Sequence, residues 1–289
     1  MSAQLSQTAQ IDIPPHAEIV DAPVVAVRPA DAPPLALPAR PGGRQPLTVT
    51  RIAHASVLID FAGKAVLTDP WFTETPEYHQ GEALGLGVDG LPRLTAVVAS
   101  HAHYDHFDIE HFARYPHLDV PLLVGFPDMV ERARNAGFTD VRQIHPGETQ
   151  VVDGVSITAL PGAHVVPEIT FLLAAGGNTV YFGGDTLLTP DVRAIAVRGP
   201  VDVALLPVNG LLVGGEPAVS SAEEAAVFAG MLQAAVAIPT HYRFFGGPKT
   251  EAHLLTYNGT PFRFLNSLRR TAPDTVGRVL EPGQRQRFT

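Results

Sequence analysis

The chain has 289 residues, 45% of them hydrophobic and 17% charged, which is a globular composition with enough apolar material for a sizeable core. Its formal net charge is −9 and its late basic pair Arg269-Arg270 is not a patch, so a polyanionic partner such as nucleic acid is not expected, although a small anionic substrate is allowed. It has no cysteine, which excludes disulfides, thiolate metal sites and cysteine nucleophiles.

Residues 1–46 hold nine of the 27 prolines and show neither helical nor strand periodicity, so we expect an extended, disordered tail or a swapping arm. The start lacks a basic segment followed by an apolar one, and no apolar run is long enough to span a bilayer, so a cytoplasmic protein without a membrane span is expected. The folded unit, residues 47–289, opens with the strand-like runs "LTVTRIAH" and "SVLIDF", then "AVLT" after the Gly63-Lys64 turn. Residues 69–92, "DPWFTETPEYHQGEALGLGVDGLP", read as a long loop, and loops of this length in compact domains are often functional. Its Gly85–Gly90 stretch matches a dinucleotide fingerprint but leads into Leu91-Pro92 and a strand, so we reject a nucleotide site. A mobile lid, with Trp71 and Phe72 as an apolar wall, or a plain surface loop is the expectation instead.

"TAVVA" (95–99) reads as a buried strand, "PLLVG" as another, and "PDMVERARNAG" as a helix with proline at its start and Gly137 at its end. "VSITAL", "EITFLLAA", "TVYFGG" and "VDVALLPV" are strands. Ser221 with Glu224 fits a capping box ahead of "AEEAAVFAGMLQAA". "AVAIP" is a strand, "PFRFLNSLRR" a helix, and "GRVLEPG" a closing strand. Asn258–Thr260, a glycosylation sequon, reads as a turn. This order suggests sheets covered by layers of helices.

At the end of "TAVVA" stands "SHAHYDHFD", with three of the chain's 12 histidines within six positions. In an extended segment His101 and His103 face one way, and a turn then offers Asp105 and His106 in another direction. Neutral imidazoles and carboxylates suit zinc, manganese or iron, and two adjacent metals are the natural reading. Three further candidates each follow a strand: His164 in "PGAH", Asp185 in "GGDT" and His241 in "THY". Alone each reads as a loop residue; the fourfold repetition of strand then ligand argues for a common site. His16, His79, His111, His117, His145 and His253 have no such context.

The ordered set "HAHYDH", "GAH", "GGDT", "THY" resembles the metallo-β-lactamase superfamily over residues 47–285. The resemblance implies a four-layer αββα sandwich of the α/β class. It implies one metal held by His101, His103 and His164, a second by Asp105, His106 and His241, and Asp185 bridging both. "HASVLIDFAGKAVLTDPWF", with His54 and Asp69, is similar to the branch containing L-ascorbate-6-phosphate lactonase and N-acyl-phosphatidylethanolamine phospholipase D. The cofactors implied are two divalent ions, zinc first and manganese second. Two such ions lower the pKa of a shared water and polarise the scissile oxygen. The expected reaction is hydrolysis of an ester-type bond, a phosphodiester or a lactone, in a small-molecule substrate. Asp105 would orient or deprotonate the water. Asp69 would accept a ligand histidine's N–H or form a turn before Pro70, His54 would contact substrate or leaving group or be structural, and Tyr242 would donate to a developing oxyanion or serve packing. The rivals are an iron-dependent redox enzyme of this fold and a non-catalytic metal scaffold; a homo-oligomer is a further expectation by resemblance.

Overall fold

The computed structural model describes residues 32–39 and 42–289. Two sheets face each other. The first has eight strands in the spatial order Ala32–Leu35, Arg285–Phe288, Leu47–Ala53, Ser56–Phe61, Lys64–Thr68, Ala96–Ala99, Leu122–Val124 and Val141–Gln143. The second has seven: Val276–Gly277, Val236–Thr240, Val203–Pro207, Asn178–Phe182, Ile169–Ala175, Val155–Pro161 and Thr149–Val152.

Burial explains the layering. Val57, Ile59, Val66, Ala96 and Val98 of the first sheet pack against Ile157, Phe171, Val180, Phe182 and Leu205 of the second, forming the inter-sheet core. The alternate residues of the same strands look outward. Leu67, Val97, Ala99 and Leu122 pack with Phe107, Phe112 and Met129 under the helices Ile109–Phe112 and Pro127–Asn135. Tyr181, Ala204, Leu206 and Ala237 pack with Phe228, Phe264 and Leu268 under the helices Ala222–Met231 and Pro261–Thr271. Strands buried on both faces read as continuous apolar runs, as "TAVVA" and "VDVALLPV" do. The result is the αββα sandwich.

The helix ends follow their signals. Ser221 Oγ accepts the Glu224 N–H and the Glu224 carboxylate accepts the Ser221 N–H, completing the capping box, a device worth about 1 kcal/mol. Pro127 opens its helix, and Gly137 follows it at φ +104°.

Three features depart from expectation. Residues before Leu47 take part in the fold: Ala32–Leu35 run parallel to Arg285–Phe288 at the outer edge of the first sheet, and Leu37 joins the inter-sheet core. Arg44 bonds Asp202 at 2.6 Å and the Gly177 carbonyl at 3.0 Å. Pro33 and Pro34 are tolerated because an outermost strand leaves one row of donors unused. The remainder of the expected tail, residues 1–31, 40 and 41, lies outside the described residues.

The 69–92 segment is anchored rather than lid-like. Tyr78–Gln80 pair antiparallel with Phe244–Gly246, and the Gly85 N–H donates to the Ile52 carbonyl at 2.8 Å. A Cβ on Gly85 would fall 1.8 Å from the Gly283 nitrogen, so only glycine allows this approach. Finally, "GRVLEPG" contributes only Gly277, the end of the strand Val276–Gly277, to a sheet; the closing strand is Arg285–Phe288.

Candidate metal centre

Parallel strands Lys64–Thr68 and Ala96–Ala99 of the first sheet, and Asn178–Phe182, Val203–Pro207 and Val236–Thr240 of the second, run their C-terminal ends to one edge of the sandwich. Open α/β sheets bind ligands at such ends. Asp69, His101, Asp185 and His241 follow four of these strands, His54 follows Leu47–Ala53 and His164 follows Val155–Pro161.

The histidine loop bends rather than extends. The His106 and Phe107 N–H groups both donate to the His103 carbonyl, at 3.1 and 2.8 Å. Arg132 holds the bend by donating to the Ala102 and Phe107 carbonyls, both at 3.1 Å. Asp108 ties it to the neighbouring segment, accepting from Phe72 N, Thr73 N and Thr73 Oγ1 at 3.1, 3.0 and 2.7 Å. Burial pushes the Asp108 carboxyl up to about 6, against these hydrogen bonds.

All seven side chains expected as ligands converge. On one side, His101 Nε2 lies 3.0 Å and His164 Nε2 lies 3.2 Å from His103 Nδ1. Asp185 Oδ2 is 3.9 Å from His101 Nε2 and 3.7 Å from His164 Nε2. On the other side, Asp185 Oδ1 is 3.1 Å from His106 Nε2 and 2.9 Å from His241 Nε2. Asp105 Oδ2 is 3.6 Å from His106 Nε2 and 3.9 Å from His241 Nε2. Donors about 2.1 Å from one ion at a tetrahedral angle are roughly 3.4 Å apart, so these spacings suit a shared cation.

The residues present therefore fit a metal pair, and the unsatisfied atoms say the same. Buried His106 Nε2, both His241 ring nitrogens and Asp185 Oδ1 have no hydrogen-bond partner. Such groups are costly unless something coordinates them. The outer nitrogens, by contrast, are used. His106 Nδ1 donates to Asp69 Oδ2 at 2.5 Å and His164 Nδ1 to the Ala218 carbonyl at 2.6 Å, which turns both Nε2 lone pairs inward. Asp69, whose other contacts are the Ser100 N–H and hydroxyl at 2.7 Å each, stands where the sequence placed it, behind a ligand histidine.

Electrostatics match this arrangement. Burial lowers His101, His103 (to about 4) and His164, with neighbouring imidazoles adding to the effect on His101 and His103, so these rings are neutral. Burial opposes charge on His106 too, but Asp185 and Asp105 beside it raise its proton affinity well above the ordinary range, so a cation bound there would displace a proton from Nε2. Asp185 is held well below the carboxylate range: burial opposes this, and the His106 and His241 rings outweigh it.

Backbone strain concentrates here. His54, Asp69 and His241 have φ of +49°, +35° and +53°. Non-glycine residues in this region cost of order 1–3 kcal/mol each and mark functional sites.

One residue was missed in the sequence. Glu168 is buried; its Oε1 accepts the Asp185 N–H at 2.6 Å and lies 3.5 Å from His101 Nδ1. Gly184, at φ +55°, makes room for it, since a Cβ there would fall 2.5 Å from Glu168 Oε1. Burial, with Asp185 next in weight, pushes the Glu168 carboxyl well up.

Three expected roles are not borne by the geometry. The Tyr242 hydroxyl donates to the Leu280 carbonyl at 3.2 Å and its ring lies under the Arg51 guanidinium, 4.4 Å away, so it is not an oxyanion donor. The residue after a turn histidine points to the other side, where Arg51 supplies a cation–π partner. Phe72 stacks on Phe112 in the outer core, and only Trp71 borders the cluster, 5.1 Å from His54. His54 itself has no exposed surface with which to meet a substrate.

The beta-lactamase superfamily domain profile matches residues 48–241. A UPF0173 metal-dependent hydrolase of Methanospirillum hungatei is 31% identical over 212 residues, covering 69% of this chain and 84% of its own. One from Shouchella clausii is 28% identical over 257 residues, covering 82% and 98%. Among solved structures, Igni18, a metallo hydrolase from Ignicoccus hospitalis, superposes with a TM-score of 0.65 at 21% identity, covering 85% of this chain and 99% of that one. An isothiocyanate hydrolase from Delia radicum gut bacteria gives 0.67 at 19%, covering 83% and 98%. CmlA, a diiron β-hydroxylase from Streptomyces venezuelae, gives 0.65 at 16%, covering 86% and 55%. At these identities the structures share the fold.

Proposed function

The chain belongs to the beta-lactamase superfamily, among the UPF0173 metal-dependent hydrolases, and from that membership we propose a hydrolase with a dinuclear centre that cleaves an ester-type bond, a phosphodiester or a lactone, in a small molecule. The observation that carries the proposal is the division of Asp185: one carboxylate oxygen faces His101 and His164, the other His106 and His241. His101, His103, His164 and Asp185 Oδ2 would hold one ion. Asp105, His106, His241 and Asp185 Oδ1 would hold the other. A divalent pair supplies an acidified water and a polarised substrate oxygen, the chemistry ester cleavage needs. Zinc is the first candidate and manganese the second.

The chain's own groups do the rest. Asp69, the Ala218 carbonyl and the Ser100 hydroxyl, 2.9 Å from His101 Nδ1, fix imidazole orientation, with Glu168 3.5 Å behind His101. Asp105, 4% exposed, would take the water's proton and return it to the leaving group. The ester-type substrate follows from the likeness of His54 and Asp69 to the lactonase and phospholipase D branch.

A substrate panel on metal-defined protein tests the reading. Bis(p-nitrophenyl) phosphate and lactones should turn over with two zinc or manganese ions per chain, and Asp185→Asn should abolish it. One iron per chain with oxygen uptake would favour the redox rival instead, and full loading without turnover a scaffold.

A further inference from the structure

Building on the two-ion reading, we propose that His54 is a ligand of the second ion, so that the two halves of the centre carry different numbers of protein donors. His54 opens the two-residue turn between Leu47–Ala53 and Ser56–Phe61. Such turns favour glycine or asparagine where φ is positive, and His54 sits there at +49°. Its ring is fully buried, and both ring nitrogens lack a hydrogen-bond partner. Burying a donor or acceptor without a partner is unfavourable, so a structural histidine would bond its neighbours. This one instead turns toward the cluster: His54, Asp105, His106 and His241 each offer one atom within 4.8 Å of the others. Its Nε2 is 3.2 Å from Asp105 Oδ2, and its ring centroid is 4.0 Å from that of His241.

The turn is held in place from behind. Glu82 accepts the His54 N–H at 3.2 Å and pairs through both oxygens with the buried Arg51 guanidinium. The His241 N–H donates to the His54 carbonyl at 3.4 Å. Trp71 and Phe244 close over the ring at 5.1 and 5.9 Å. A cation among these four residues takes one unpaired nitrogen from each of His54, His106 and His241.

The consequence is a division of labour. The second half offers His54, His106, His241, Asp105 and Asp185 Oδ1, which is more than a tetrahedral ion uses and suits one taking five or six ligands. The first half offers His101, His103, His164 and Asp185 Oδ2, one donor fewer and no carboxylate of its own. The second ion is therefore the tightly held one.

Stepwise titration of the metal-stripped full chain with Zn²⁺, and separately Mn²⁺, followed by calorimetry, tests this. The wild type should bind one ion tightly and a second more weakly. His54→Ala should weaken the tight step at least about tenfold, as loss of a supporting group already does, and spare the weak one. The exposed His145→Ala should change neither. Metal-free His54→Ala should melt no lower than the metal-free wild type, because an unsatisfied imidazole has gone. Unchanged metal steps together with a lower melting temperature would make His54 structural and overturn the proposal. Histidine ¹⁵N spectra of the wild type give the same answer without substitution: six imidazoles should shift at two equivalents of Zn²⁺, and five would contradict it. A wild type that binds fewer than two ions would sink the dinuclear reading itself.

Discussion

The two halves of the centre are built to opposite specifications. The first gathers three imidazoles from two loops, their nitrogens 3.0 and 3.2 Å apart, with no carboxylate but its share of Asp185. The second takes Asp105, His106 and His241, none more than 4% exposed, and leaves His106 Nε2 and both His241 ring nitrogens without hydrogen bonds. Three neutral imidazoles with only a share of one carboxylate attract a cation less than a set with a carboxylate of its own. A buried set containing such a carboxylate holds charge and is satisfied only when filled. Proximity of one residue type thus does not make two sites equivalent; carboxylate content sets them apart.

Substitutions can break or sharpen that contrast. Asp185→Asn removes charge from both halves, so turnover should fall by at least about 10²-fold, the scale of losing one charge-stabilising group. Bound metal measured on the same sample should drop below two ions. His164→Ala touches the first half alone and should leave one tightly held ion per chain; loss of both ions would erase the contrast.

Asp108→Asn probes the frame beneath the cluster. The Asp108 carboxyl titrates near 6 in the fold against 3.8 unfolded, so the native state binds the proton more tightly. Its contribution to stability is full below pH 4 and is lost as pH rises through 6, a change of roughly 3 kcal/mol. The asparagine variant keeps an acceptor for Phe72 and Thr73, so the melting-temperature difference between it and the wild type should grow from pH 4 to pH 7 in the variant's favour. A constant difference would refute the burial argument. Glu168→Gln still accepts the Asp185 N–H but puts an amide in place of the carboxyl group behind His101. Affinity for the first ion should fall by about 10- to 100-fold with little change in the second. An equal loss in both would place Glu168 behind the whole centre rather than one half.

Much of this was legible from residue types alone. Histidine and aspartate just past the ends of apolar strand runs are poor core residues, and their recurrence after four strands makes His101, His164, Asp185 and His241 announce a site. The layers were legible because strands buried on both faces and amphipathic helices have distinct periods. What escaped depends on partners remote in sequence. Glu168 in "HVVPE" reads as a surface acid; only Asp185 and Gly184 folding over it reveal its burial. The 69–92 segment reads as loose because its glycines are visible and its pairing with Phe244–Gly246 is not. "APPL" reads as tail because prolines disqualify a central strand but not an outermost one. Tyr242 was misjudged because adjacency to His241 says nothing of direction across a turn.

The most direct test is anomalous diffraction from crystals of the zinc- or manganese-loaded chain. The account predicts two peaks about 3.5–4 Å apart, one on each side of the Asp185 carboxylate, ringed by His101, His103 and His164 on one side and by Asp105, His106 and His241 on the other. A single peak, or peaks distant from Asp185, would contradict it.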